Sequence, residues 1–196
     1  MSRRGAVLAA AAGALAGCAG VGGVSGGPAA YALDPTHTSV TFVVAGFGLS
    51  TARGRFERAQ GSVQLDRAAG TGRAEITIAT ASVSTGVPAL DDGLRGPDGL
   101  DSEAFPAATF VGERFTFRGD QVTEVAGALT LRGRTLPLTL KATHFDCYLN
   151  PLLVRQVCGG DFEATLQRSR WGIDFGLAQG VPDEIRLLVQ VEAVRQ

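Results

Sequence analysis

Strict alternation of apolar and polar residues, interrupted by short turns, limits this chain more than any other feature. In RAEITIAT (Arg73 to Thr80), Ala74, Ile76 and Ile78 face one way while Glu75 and Thr77 face the other. TEVAGALTL places Val125, Gly127, Leu129 and Leu131 on one side, and TLPLTLKA places Leu136, Leu138, Leu140 and Ala142 there. IRLLVQVEAV alternates Leu187, Val189, Val191 and Ala193 against Arg186, Gln190 and Glu192. Further strands are expected at Val40 to Ala45, Gly61 to Asp66, Thr109 to Phe117 and Phe162 to Gln167, with Arg132, Gly133 and Arg134 as a hairpin turn. Roughly eight strands with short links and almost no helical period predict an antiparallel sheet that curls and closes, because closure removes exposed edges. Periodicity alone leaves a two-sheet sandwich open.

The beginning of the chain reads differently. MSRRGAVLAAAAGALAG has a basic start and then an apolar run of about ten residues, a secretory signal pattern too short to span a bilayer stably. Leu15, Ala16 and Gly17 precede Cys18 as in a lipobox, so residues 1–17 are expected to be a lipoprotein signal peptide and Cys18 the lipidated residue. Residues 18–30 then form a Gly-rich tether, with a flexible reach of about 20 Å, and residues 31–196 the folded domain. Such a chain would be exported and lipid-anchored in the cell envelope on its periplasmic side. Arg3 and Arg4 half-match a twin-arginine signal, which leaves the export route open. GVSGG (Gly23 to Gly27) matches the serine-hydrolase elbow pattern, but no strand precedes it and no helix follows.

The whole chain carries 18 basic and 19 acidic residues; without Arg3 and Arg4 the balance is 16 against 19, mildly acidic and with no basic stripe. Nucleic acid is therefore not an expected partner. Besides Cys18 there are Cys147 and Cys158, inside CYLNPLLVRQVC, which in an exported chain predict a disulfide closing a loop around Asn150 and Pro151.

A set of local motifs, in order, resembles the YceI-like family of bacterial periplasmic, lipocalin-like proteins. They are YALDPTHTSVTF, GRF followed by GSVQLD, LRGPDGLDSEAFPAATF, ALTLRGRTLPLTL, and CGGDFEATLQRSRWGI followed by EIRLLVQVEA. The resemblance covers nearly everything from Tyr31 to Val194. It implies an all-β, lipocalin-like eight-stranded antiparallel barrel with a short helical lid segment, whose interior binds long apolar amphiphiles such as polyisoprenoids and isoprenoid quinones. Leu94 to Phe110 would be a short helix and turn, with Leu94, Leu100 and Phe105 facing the barrel and Asp98, Asp101 and Glu103 facing water or backbone amides. A homodimer is compatible with the family, though no interface is legible. The chain departs from the family where histidines are common, at Gly46 and Gly93, and at Gly99, where an aromatic is usual; the last substitution predicts more room or a looser lid.

Little in the sequence points to catalysis. His37, in DPTHTSV, is expected to bond nearby backbone at the start of the domain. His144 and Asp146 share a strand face but lack the further ligands a zinc site needs, so no metal is expected. Asp91, Asp92, Asp98, Asp101 and Glu103 read as solvated loop acids rather than a paired-acid hydrolase site. RSRW (Arg168 to Trp171) reads as a solvated barrel rim, the alternative being a contact to a pyrophosphate or lipid head group.

The expected function is non-catalytic carriage or storage of a long apolar lipid, with no cofactor beyond a bound isoprenoid. The residues expected to line the cavity are Ile76, Ile78, Leu94, Leu100, Phe105, Phe110, Leu129, Leu138, Leu140, Val189 and Val191. Two rivals are an interaction module with a filled core, since a barrel this size can fill itself with side chains, and a lipid-acting hydrolase using His37 or His144 as base.

Overall fold

Pairing of the first strand with two partners makes the sheet a ring. The computed structural model of the protein describes residues 27–45 and 50–196. The expected signal peptide, Cys18 with its expected lipidation, most of the expected tether and of the GVSGG stretch, and Gly46 lie outside the described residues. Among the described residues the strands are β1 (Ala29–Leu33), β2 (Ser39–Ala45), β3 (Thr51–Phe56), β4 (Ala59–Asp66), β5 (Thr71–Ala79), β6 (Val83–Ser84), β7 (Ala107–Arg118), β8 (Gln121–Leu131), β9 (Arg134–Asn150), β10 (Arg155–Gln167) and β11 (Glu184–Arg195), with one α-helix, α1 (Pro88–Arg95), and two short 3-10 turns at Thr80–Ser82 and Arg168–Trp171. Each neighbouring pair from β4 through β5, β7, β8, β9 and β10 to β11 is antiparallel, and β1 pairs with both β4 and β11.

Three staves of the barrel are broken in the middle: β1 runs on into β2, β3 into β4, and β5 into β6. Counted as staves, the eleven segments make the closed eight-stranded antiparallel barrel that the resemblance implied. The β1–β2 break has a local cause. Pro35 offers no N–H to the ladder, and the Asp34 carboxylate accepts from the Thr36 N–H at 2.9 Å, which turns the chain. The Thr38 hydroxyl then takes over for backbone, lying 3.3 Å from both the carbonyl and the N–H of Glu192. At the second break, the Arg58 N–H donates to the Ser82 hydroxyl at 3.2 Å. All strands of the closed ring and the core cluster they enclose fall within residues 27–196.

Inward and outward faces follow the alternation until a bulge shifts it. Leu136, Leu138, Leu140 and Ala142 pack on the core; after the irregularity opposite Asp161 and Phe162 the inward residues become Phe145 and Cys147. A second irregularity, between Gly112 and Arg114, does the same for Phe115 and Phe117. The β8–β9 link is a two-residue turn in which Arg132 and Gly133 have φ of 48° and 69°, the left-handed pair a tight hairpin requires.

Two expectations change here. RSRW is no solvated rim: Trp171 is fully buried and its indole N–H donates to the Leu129 carbonyl at 3.2 Å, while Arg168 is 5% exposed. Arg170 alone of the two cations is exposed. The reason is distant in sequence, because the chain from Phe175 to Pro182 folds back over Arg168 and presents its carbonyls to the guanidinium. The first strand also begins at Ala29, so the last two residues of the expected tether belong to the barrel.

Candidate functional site: a two-chambered apolar interior

The inward side chains do not meet at the centre. They leave an inner chamber of about 110 Å³, walled by Val40, Val63, Ala74, Phe115, Val125, Phe145 and their neighbours around the whole ring. Eight of the residues expected to line a cavity do so here: Ile76, Ile78, Phe110, Leu129, Leu138, Leu140, Val189 and Val191. The polar groups at its edge are already engaged. Tyr31 donates its hydroxyl to Gln156 at 2.9 Å, and burial pushes its pKa up, so it stays neutral.

An outer chamber of about 360 Å³ lies above it, and Leu187 lines both. One wall is barrel: Phe42, Val44 and Phe56, with the two rings 5.9 Å apart. The other is the lid. Pro88 opens α1 where its missing N–H costs nothing, and Leu90 and Leu94 fall four residues apart on the face turned inward. Leu100 joins them because the loop after α1 folds tightly under it, with the Leu100 N–H on the Leu94 carbonyl at 2.7 Å and the Ser102 N–H on the Arg95 carbonyl at 2.9 Å. The Asp98 carbonyl accepts from the N–H groups of Asp174 and Phe175, which stitches this loop to the segment before β11.

Phe105 departs from expectation and lines neither chamber. Its N–H is held by the Asp101 carbonyl and its carbonyl by the Thr80 hydroxyl, and its ring lies half-buried over the 132–133 turn instead. The looser lid expected from Gly99 is also reversed. A Cβ there would sit 2.3 Å from the Leu94 carbonyl oxygen, so the glycine marks a close backbone approach that draws the loop in. Gly93 admits a neighbour in the same way: a Cβ would fall 2.5 Å from the ring of Phe175, itself part of the outer wall. An aromatic edge therefore occupies the space beside a position where histidine is common in the family.

Sequence reasoning missed Phe42, Phe56, Leu131, Leu166, Ile173 and Phe175 as cavity residues. Phe42 had a readable signal, since it alternates with Val40 and Val44; Phe175 sits in a loop with no period to read. Three polar side chains reach the outer chamber, Arg53, Thr85 and Arg168. Arg168 donates to the carbonyls of Pro182, Ile173, Phe175 and Val181, and burial lowers its pKa, with Asp183 and Asp174 acting against that.

The candidate chemical groups lie elsewhere. His37 is exposed on the β1–β2 break, with Nδ1 2.8 Å from an Asp34 oxygen and 3.1 Å from the Thr36 hydroxyl; it bonds side chains rather than the expected backbone. The Asp34 carboxylate is held down at about 2 by the hydrogen bonds of Thr36 and His37, which in turn raises the pKa of His37. His144 and Asp146 are exposed on the outer face of β9. Asp91 is buried rather than solvated, accepting from the Thr85 N–H and hydroxyl, both at 2.6 Å, which lowers its pKa. The expected disulfide is formed: Cys147 and Cys158 are direct cross-strand partners on β9 and β10.

The sequence profile of the YceI-like domain matches residues 31–193. The chain belongs to the YceI-like family. A UPF0312 protein of Pseudomonas aeruginosa is 32% identical over 161 residues, 82% of this chain and 83% of that one. A UPF0312 protein of Shewanella denitrificans is 36% identical over 115 residues, a match spanning 57% of this chain and 60% of the relative, less than two thirds of its length. Among solved structures, a polyisoprenoid-binding domain from Saccharophagus degradans, implicated in plant cell wall breakdown, superposes with a TM-score of 0.62 over 86% of this chain and 99% of that one, at 15% identity. At that identity the likeness speaks for the YceI-like barrel alone.

Proposed function

We propose that this YceI-like protein is a non-catalytic carrier or store of a long apolar lipid, with polyisoprenoids and isoprenoid quinones as its class of cargo. The observation that carries the reading is an interior of two apolar chambers meeting at Leu187, the outer one beneath a lid of α1 and the Leu100 loop. The outer chamber alone lies within the ~300–1,000 Å³ of small-molecule sites. Sharing its fold with a solved polyisoprenoid-binding domain supports the same reading. Neither histidine lines either chamber, so the hydrolase alternative gains no support from their positions.

Binding alone suffices energetically. At about 0.3 kcal/mol per heavy atom, a forty-carbon chain fully enclosed gains about 12 kcal/mol, and one half enclosed gains about 6 kcal/mol and exchanges at tens of micromolar. Arg168, Arg53 and Thr85 place polarity at the lid end, where the head of an amphiphile would rest while its tail passes Leu187. The same proposal puts the protein in the bacterial envelope, held by lipid on Cys18 through the Gly-rich tether.

Native mass spectrometry with organic extraction tests it, applied to residues 27–196 purified from a cell envelope. A stoichiometric isoprenoid or quinone is the expected result. A clean apo mass, with no uptake of such lipids offered in detergent, would overturn the carrier reading in favour of a self-filled core.

A further inference from the structure

The β9–β10 hairpin carries a concentration of apolar surface that the lipid cavity does not use. Among the described residues, six large hydrophobic side chains are exposed, and five of them are here: Tyr148, Leu149, Leu152, Leu153 and Val154, with Leu152 at 91%. The segment YLNPLLV contains no charge, and Arg155 follows it. It has a definite shape. The Asn150 side-chain carbonyl accepts the N–H groups of Leu152 and Leu153 at 2.9 and 3.1 Å, Val154 holds a φ of 51°, and the Cys147–Cys158 bridge staples the base. A β-branched residue in the left-handed region is rare enough to need a reason.

Register shows which end of the barrel this is. Ala32 pairs with Val194, Val194 with Val157, and Val157 with Tyr148, so the start of β1 at Ala29 lies level with the hairpin tip. At strand spacings of about 4.8 Å the two are roughly 10–15 Å apart around the ring. The chain before Ala29, including the expected lipid-bearing Cys18, therefore joins the barrel beside the tip. The same end carries Arg118, Arg155 and Arg195, against Asp66 at the end of β4, while Arg67 is ion-paired with Asp120 at 3.0 Å. The lid and outer chamber are at the opposite end.

We propose that this hairpin tip docks into the interfacial region of a lipid bilayer, turning the barrel so that its lidded end faces away from the membrane. Four aliphatic side chains and a tyrosine suit the boundary between acyl chains and head groups, and the surrounding arginines suit anionic lipid. A second copy of the chain fits less well, since a standard interface uses 20–30 residues a side and the patch has seven. The inference uses the lipid-anchor reading only for orientation. It is independent of whether the interior holds an isoprenoid.

The test uses residues 27–196, which carry no acyl group, with L152W as reporter. The chain's single Trp, Trp171, is fully buried and contributes a constant background. Vesicles of phosphatidylcholine containing phosphatidylglycerol are expected to shift the L152W emission to the blue, and brominated lipid to quench it, more weakly at high salt. The pair L152S/L153S is expected to lower vesicle partitioning by at least about tenfold while leaving the thermal midpoint and detergent-presented isoprenoid uptake unchanged. Emission indifferent to vesicles would overturn the proposal, and so would a blue shift produced by protein concentration alone, which would assign the tip to self-association. Failure of isoprenoid uptake in the parent domain would remove the carrier reading and leave the vesicle result standing.

Discussion

Ala74 sits on β5, buried, with its methyl group on the wall of the inner chamber. Replacing it with Leu should give opposite effects on two measurable quantities. An unfilled cavity costs about 24 cal/mol per Å³, so the roughly 110 Å³ here represents up to about 2.6 kcal/mol of forgone packing. The three added carbons recover only part of that, about 1–2 kcal/mol, which raises the melting temperature of the delipidated barrel by about 2–8 °C. The same carbons stand where the far end of a bound chain would lie. Displacing about five ligand carbons at about 0.3 kcal/mol each costs about 1.5 kcal/mol, roughly tenfold in Kd. Thermal unfolding of the delipidated domain and an isoprenoid titration read the two effects. Overpacking would lower both stability and affinity, whereas occupancy of a real chamber raises one and lowers the other. A more stable A74L with unchanged affinity would refute the claim that the ligand reaches the inner chamber.

Removing the disulfide with C147S/C158S, whose partners are 11 residues apart, should cost about 2.5–3 kcal/mol by the loop-entropy estimate, seen as a lower denaturant midpoint while isoprenoid uptake persists. Gly99→Ala forces a Cβ within 2.3 Å of the Leu94 carbonyl, so the lid loop must shift; a loss of at least about 1 kcal/mol and faster lipid release in stopped-flow transfer are expected. Asp34 titrates at about 2 in the fold, below its unfolded value, so its contribution to stability is complete above about pH 4 and disappears as pH falls toward 2. Raised His37 acts in the opposite sense, contributing below its ordinary value near 6.5 and losing that contribution as pH rises through its folded value. Asp34→Asn should flatten both limbs of a urea-midpoint profile against pH.

Alternation made the strands readable because each wall residue of a barrel sees the same two environments, core and water, at every second position. Ile76, Ile78, Leu138, Leu140, Val189 and Val191 fall in uninterrupted stretches, and their sides could be read directly. Beyond the bulges, the inward role of Phe145 and Phe115 required knowing where the period slips, which depends on the partner strand. The lid defeated local reading for a different reason. Arg168 looks solvated from its neighbours, yet its guanidinium donates to carbonyls up to 14 residues away. Gly99 suggests spare room when compared with an aromatic, but the space it leaves is taken by backbone from α1. Phe105 looks like a lid residue in sequence; its N–H on the Asp101 carbonyl and its carbonyl on the Thr80 hydroxyl aim it at the Gly133 turn.

Photo-crosslinking with a diazirine-bearing isoprenoid, mapped by peptide mass spectrometry, tests the central claim most directly. A chain threaded past Leu187 would label β11 between Leu187 and Val191 and the lid between Leu90 and Leu100, and both labels would fall when unmodified isoprenoid competes. Labelling confined to the 148–154 hairpin or the outer face of the barrel, insensitive to competition, would contradict carriage in the interior.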